Sequence, residues 1–306
     1  MNINTLFNAM PGACAQGLIW GIMAIGVYIT YKILDLADLT VDGTMCTGGA
    51  VCIVLMTTGH SVPFSMTCAV LVGMLAGLAT GVFHTFMGIP AILSGILTQL
   101  GLYSINLRIM GGKANQAISV DKYPLIVSLR YIKGVPIWKN SIFVVIIFIA
   151  ILIAVLYWFF GTELGCSIRA TGSNENMSRA QGINTDLAKI IGLMLSNGIV
   201  ALASALYAQY QGFSDVNMGR GAIVIGLAAV IIGQVVFGKI ARGFAWKLCS
   251  VALGAIIYYL VLQFVLWLGL NTNDLKLLSA LVVAVFLAIP YLKRKYINKP
   301  GKGGAR

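Results

Sequence analysis

Nine apolar runs organise this chain, near residues 13–34, 45–58, 64–83, 89–107, 141–161, 187–207, 221–237, 248–268 and 276–292. A hydrocarbon core about 30 Å thick takes roughly twenty helical residues per crossing, and most of these runs have that length. Inside lipid every backbone N–H and C=O must be satisfied within the segment, so such runs are helices. The expected fold is therefore all-α: a polytopic integral membrane protein of about 8–9 transmembrane helices, some broken or re-entrant. The run 45–58 is short for a span. It is either extended by its polar preface or part of a broken helix. Composition agrees: 59% of the 306 residues are hydrophobic, 10% are charged, and mean hydropathy is +0.91. A soluble domain is about a quarter charged. Soluble enzymes, transcription factors and disordered scaffolds are excluded.

The net charge of +12 does not indicate nucleic acid, because a membrane protein places Lys and Arg as topology signals. Nine crossings put the termini on opposite sides. The tail 293–306 carries Lys293, Arg294, Lys295, Lys299, Lys302 and Arg306, which assigns it to the cytoplasm. Counting backwards, the loop with Lys239, Arg242 and Lys247 is cytoplasmic, as is 162–186 with Arg169 and Arg179. The stretch 108–140 breaks the pattern: it is basic, yet parity places it outside. Pro124, Pro136, Trp138 and the apolar Leu125-Ile126-Val127 mark it as an external folded element rather than a linker. The first apolar stretch is too long for a signal-peptide core and should remain as the first helix. The whole chain, 1–306, reads as a single domain.

Six cysteines form no C-x-x-C pair, and His60 and His84 lie far apart, so neither a disulfide framework nor a metal centre is expected, and no cofactor is implied. Gly73, Gly77 and Gly81 repeat at four-residue spacing, which lets helix backbones approach closely. Tyr207 and Tyr210 read as interfacial anchors.

Two polar stretches need explanation. In the first, Asp35, Asp38 and Asp42 fall within eight residues and alternate with Leu and Val. A simple loop would hold them. Carboxylates at membrane depth instead face a cavity or pathway, where irregular backbone is tolerated. Other polar residues within apolar runs (Thr40, Ser94, Gln99, Asn106, Asn197 and Gln234) join Asp38 and Asp42 as substrate-pathway candidates. Each has an interhelical hydrogen bond as its plainer role.

The second stretch runs from Glu163 to Asn184. Ser173 is placed to cap a short helix with Glu175 in its first turn, Glu175 and Arg179 form an i,i+4 pair, and Gly182 stops it. Asn184 or Thr185 then caps the next span, with Asp186 in its first turn. A capped helix along the cytoplasmic surface suits docking of another protein.

The residues Arg169-Ala170-x-Gly172-x-Asn174 and Arg179-Ala180-x-Gly182-Ile183 resemble the coupling loop of type II ATP-binding-cassette (ABC) importer permeases, the branched-chain amino acid and ribose/galactose permease superfamily. Asp38-Leu39-Thr40-Val41-Asp42-Gly43-Thr44 resembles the Asp-Leu-Ser-Val-Gly-Ser pattern of the sugar members. The stretch Gly226-Leu227-Ala228-Ala229-Val230-Ile231-Ile232-Gly233, with Gly238, is similar to their late Ala-Ala-Val-hydrophobic-Gly-Gly helix. The matches keep the family order, with Asp42 inserted in the first motif and Gln234 replacing a glycine in the last. The sequence is most similar to the uncharacterised, tryptophan/tyrosine-type branch.

The resemblance implies a permease without catalytic residues, driven by cytoplasmic ABC ATPase subunits and supplied by an extracytoplasmic substrate-binding lipoprotein. It implies a permease homodimer in the bacterial inner (plasma) membrane, importing a small solute such as an amino acid, aromatic ones included. Asn174, Glu175, Met177, Ser178 and Arg179 would form the ATPase-docking surface, shaped by Arg169, Gly172 and Gly182. The competing class is an ion- or proton-coupled secondary transporter or channel using Asp35, Asp38 and Asp42. An intramembrane enzyme lacks support: neither H-E-x-x-H nor G-x-S-x-G occurs.

Overall fold

The computed structural model describes residues 3–119, 122–132, 136, 138, 140–238, 243–268 and 275–292. The basic tail 293–306 lies outside them, as do Lys239 and Arg242. All nine apolar runs fall on helices. These are α1 (Ile3–Tyr28, continued by a π-helical turn Ile29–Ile33), α2 (Thr40–Thr57), α3 (Val62–Thr85), α4 (Ala91–Ile109), α5 (Ser141–Phe159), α8 (Thr185–Gln211), α9 (Ala222–Phe237), α10 (Phe244–Trp267) and α11 (Leu275–Leu292). Among the described residues six helices are long and apolar enough to cross a membrane, and α9 is a shorter apolar helix.

The short second run is resolved by its polar preface, which is helical from Thr40 and brings α2 to 18 residues. The break precedes it, between Leu34 and Leu39. There Asp35 takes a left-handed φ of 55°, which among the described residues no other non-glycine does. That conformation is strained for a residue with a Cβ.

Burial separates the centre of the bundle from its periphery. The most apolar windows of α1, α2 and α8 are 83%, 78% and 72% buried, whereas that of α5 is 22% buried. The uniformly apolar α5 therefore presents Ile146, Ile147, Ile151 and Val155 outward, where lipid is the natural solvent. The Gly73/Gly77/Gly81 stripe of α3 lies on α8: a Cβ added at Gly77 would fall 2.3 Å from the Leu193 carbonyl oxygen. Small residues here set the helix–helix distance.

Beyond α4 the chain folds, as the prolines and apolar residues of 108–140 suggested. A two-stranded antiparallel ladder pairs β1 (Asn115–Ala117) with β2 (Phe213–Asp215), just past α8. Leu125 and Val127 are buried, the Ile126 N–H donates to Gln209 Oε1 at 3.2 Å, and Ser141 Oγ donates to the Ser128 carbonyl at 2.7 Å.

At the opposite end the stretch Glu163–Asn184 contains two helices, α6 (Glu163–Ser173) and α7 (Glu175–Ala180). Asn174, not Ser173, caps α7: its backbone is extended and its Oδ1 accepts the Met177 N–H at 3.0 Å, while Ser173 ends α6. Gly182 stops the turn with φ 83°, and Asn184 caps α8 by accepting the Leu187 N–H at 3.1 Å. Two aromatics differ from expectation. Tyr210 is buried with its hydroxyl on the Gly12 carbonyl, and Tyr207 packs edge-on to Trp20 at 5.4 Å. Both join α8 to α1 instead of anchoring an interface.

Candidate functional site

The polar residues of the apolar runs separate into a buried network and an open cavity. The network starts at Asp38, which is 3% exposed. Its Oδ1 accepts the Thr40 N–H at 2.9 Å and its Oδ2 accepts Asn197 Nδ2 at 2.8 Å. Asn197 also donates to the Leu193 carbonyl at 3.0 Å and accepts from Thr44 Oγ1 at 2.7 Å. A chain of hydroxyls extends it, with Thr40 to Thr80 at 2.6 Å and Thr80 to Thr98 at 2.8 Å. Thr98 then donates to the carbonyl of Ser94, whose own hydroxyl turns back to Ala91. Asn197 lies 12 residues into α8, about 18 Å along its axis and near its middle. A carboxylate at that depth is costly unless tied by hydrogen bonds. Asp38 is so tied, and it fixes the chain break to α2 and α8.

The cavity has a volume of about 390 Å³. Asp42 and Cys46 of α2, Gln99, Tyr103 and Asn106 of α4, and Arg220 before α9 line it, with Leu100 and Val216 as apolar wall. Asp42 takes the first N–H groups of α9: Oδ2 accepts from Gly221 at 2.9 Å and Oδ1 from Ile223 at 3.0 Å. A carboxylate there satisfies orphan donors and the positive end of the helix dipole. Cys46 fastens the preceding turn, donating to the Val216 carbonyl at 3.0 Å and accepting the Gly219 N–H at 3.2 Å. Asn106 is 1% exposed, yet neither side-chain polar atom has a hydrogen-bond partner among the described residues. A buried amide left so costs about 1–3 kcal/mol of stability.

The three aspartates thus occupy three environments: Asp38 in the network, Asp42 on α9, and Asp35 exposed at the break. They do not converge on a shared ion. Gln234 sits in the last turn of α9 and lines neither feature.

At the α6–α7 end, Glu175 works inside the chain. Its Oε1 accepts Lys189 Nζ at 2.7 Å and Arg179 Nη2 at 3.0 Å, which ties α7 to α8. The Lys189 hydrogen bond is the main reason the Glu175 carboxyl is held below its usual range, with Arg179 and His84 adding to it. Arg179 also donates to Thr185 Oγ1 at 2.9 Å. Met177, 63% exposed, is the apolar side chain that α7 offers outward, while Ser178 turns inward. Gly172 packs on the end of α1: a Cβ there would fall 1.8 Å from the Ile33 carbonyl oxygen. The Arg169 guanidinium lies over the Phe244 ring, 5.9 Å from its centroid.

Residues 11–290 match the family model for the permease component of branched-chain amino acid transport systems. The chain belongs to this permease family. A tyrosine transport system permease protein of Clostridioides difficile (strain R20291) is 42% identical over 273 residues, 89% of this chain and 88% of that one. An uncharacterized protein of Rickettsia prowazekii (strain Madrid E) is 32% identical over 94% of this chain and 99% of its own length. An autoinducer 2 import system permease of Escherichia coli O9:H4 (strain HS) is 29% identical over 77% of this chain and 65% of its own. Among solved structures, PsaBC from Streptococcus pneumoniae in complex with Fab aligns over 96% of this chain with a TM-score of 0.55 at 16% identity, a likeness of fold. The protein is thus a multi-pass permease component of an ABC transport system, a transport subunit and not an enzyme. ABC systems of this family pair such a permease with ATPase and substrate-binding components.

Several residues that organise the permease escaped the sequence reading: Lys189, Arg220, Tyr103, Thr44, Thr80 and Thr98. Thr80 had a legible signal, because it is a polar residue beside the glycine stripe of α3. Lys189 and Arg220 had none, since their partners are set by how the helices fold back.

Proposed function

We propose that this permease carries a zwitterionic amino acid, with tyrosine as the leading candidate, through the cavity bounded by α2, α4 and the turn before α9. The observation that carries the reading is the meeting of Asp42, Arg220 and Asn106 in one cavity. Each oxygen of Asp42 accepts one backbone N–H and keeps a lone pair for an ammonium group. Arg220 offers a fork of donors for a carboxylate, and Asn106 stands behind the cavity wall beside them. Tyr103, Leu100 and Val216 supply wall for an apolar or aromatic side chain. The 42% identical relative is a tyrosine transport permease, which supports the substrate class.

In this reading residues 1–306 form one permease domain, and two copies form the pathway in the bacterial cell membrane with their C-termini cytoplasmic. A binding protein delivers the solute from outside. ATPase subunits dock on α7 through Met177 and Asn174, with Glu175 and Arg179 holding α7 in place. ATPase movement passes through Gly172 to the end of α1 and the Asp38 break, a bistable element of the kind that switching proteins use. Uptake of labelled tyrosine into vesicles holding permease, ATPase and binding protein tests this. Arg220→Met should lower uptake at least tenfold with ATPase co-purification unchanged. Equal transport of tyramine, which lacks the carboxylate, would overturn the zwitterion. Uptake that continues with the ATPase disabled and stops with an ionophore would overturn the importer.

A further inference from the structure

The α6–α7 end carries a second concavity, of about 290 Å³, apart from the solute cavity and beside the contact of Gly172 with Ile33. Three cations from three elements line it: Lys32 of the π-helical turn ending α1, Arg169 of α6 and Lys247 of α10. No Asp or Glu is among its lining residues. Like charges gathered without a counter-charge repel one another, so an anion placed between them is attracted by all three. The Ser173 hydroxyl adds a donor at the rim, and Phe244 backs the Arg169 guanidinium at 5.9 Å. Depth identifies which anion. Lys247 lies in the first turn of α10 beside Trp246, which is 65% exposed, and about two turns after Trp246 Leu253 is exposed as well. Tryptophan at a helix end followed by outward apolar residues marks the headgroup level of a bilayer.

We propose that Lys32, Arg169 and Lys247 bind the phosphodiester headgroup of an anionic phospholipid at the membrane surface. Basic pockets between transmembrane helices have the chemistry for this, and each cation near the surface strengthens lipid binding roughly fivefold. The position gives the lipid a role. Arg169 and Lys32 flank the contact of Gly172 with Ile33, so a shared phosphate holds α6 against the end of α1.

Native mass spectrometry of the purified permease–ATPase complex, with phosphatidylglycerol or phosphatidylcholine added, tests the site. The unaltered complex should retain phosphatidylglycerol in preference to phosphatidylcholine, and millimolar inorganic phosphate should not displace it. Lys247→Gln, a change at an exposed side chain that leaves the fold intact, should weaken retention about fivefold, and K32A/R169A/K247A about a hundredfold. Equal retention of the two lipids, or unchanged retention in Lys247→Gln, overturns the proposal. Displacement by free phosphate would make this a soluble-anion site and overturn it too. Loss of ATPase co-purification in Lys247→Gln with lipid retention unchanged would make the cations an ATPase contact, with the same consequence.

Discussion

Asp38 Oδ2 accepts a hydrogen bond from Asn197 Nδ2 at 2.8 Å, and this contact pins the break between α1 and α2 to the middle of α8. Asn197 also accepts from Thr44, so one amide serves a carboxylate and a helix turn at once. Replacing Asn197 by Ala takes a donor from a buried carboxylate and an acceptor from a buried hydroxyl. The expected loss is about 2 kcal/mol of stability, chiefly because Asp38 Oδ2 is left buried without its donor while the Thr44 hydroxyl keeps the Thr40 carbonyl. Thermal unfolding of the detergent-purified permease checks this. A midpoint within a degree of the unaltered protein would show that the network does not hold the break.

Asn106 should behave in the opposite way. Both of its side-chain polar atoms are buried without a partner among the described residues, at the wall of the cavity. Substituting Leu removes that penalty and leaves a residue of similar size. Thermal stability should therefore stay level or rise by about 1 kcal/mol, while tyrosine uptake falls severalfold. Stability and transport are measured on the same preparation. A parallel fall in both would assign Asn106 to the core and not to the solute path.

The contrast between Asn197 and Asn106 shows what the sequence can and cannot display. Both stand in apolar runs, and both read as pathway candidates from that position alone. Only packing distinguishes them, since Asn197 meets Asp38 across 159 residues of chain and the Asn106 amide finds no hydrogen-bond partner among the described residues. Local chemistry was legible: the short helix at Glu175, its stop at Gly182 and the cap at Asn184 follow from residues a few positions apart. The apolar runs likewise located the helices, because bilayer length fixes their minimum. What lay beyond reach was pairing between distant segments. Asp42 takes the N-terminus of a helix 179 residues later, and Lys189 neutralises Glu175 from the following span. Nor did the sequence show α6 as a helix, since its Gly, Ser and Thr content reads as a loop until it packs on α1 and α8.

Gly172 offers a test of the path from α7 to the break. A methyl group at this position would sit 1.8 Å from the Ile33 carbonyl oxygen, and the nearest atoms are backbone that cannot rotate aside. Gly172→Ala must push α6 off the end of α1, with a strain of about 1–3 kcal/mol. Membrane insertion and ATPase co-purification should survive, because α7 and its caps are untouched. ATP hydrolysis should then proceed with tyrosine uptake reduced at least tenfold. Uptake per ATP equal to that of the unaltered complex would remove Gly172 from the coupling path.

The tie between α7 and α8 carries a pH signature. Lys189 donates to Glu175 at 2.7 Å and holds its carboxyl below the usual glutamate range. A carboxylate with a lowered folded pKa contributes its stabilisation fully above its unfolded value, and loses it as pH falls through the folded one. The tie is therefore complete at neutral pH and persists into mild acid. Glu175 is 38% exposed, so solvent screening keeps the contribution modest. Between about pH 8 and about pH 6, co-purification of the ATPase should stay constant for the unaltered permease. Lys189→Met removes the principal cause of the shift and returns Glu175 toward its ordinary range. In that variant the loss of co-purification on acidification should begin at a higher pH than in the unaltered protein. Identical acid profiles for the two would mean that α7 keeps its position without Glu175.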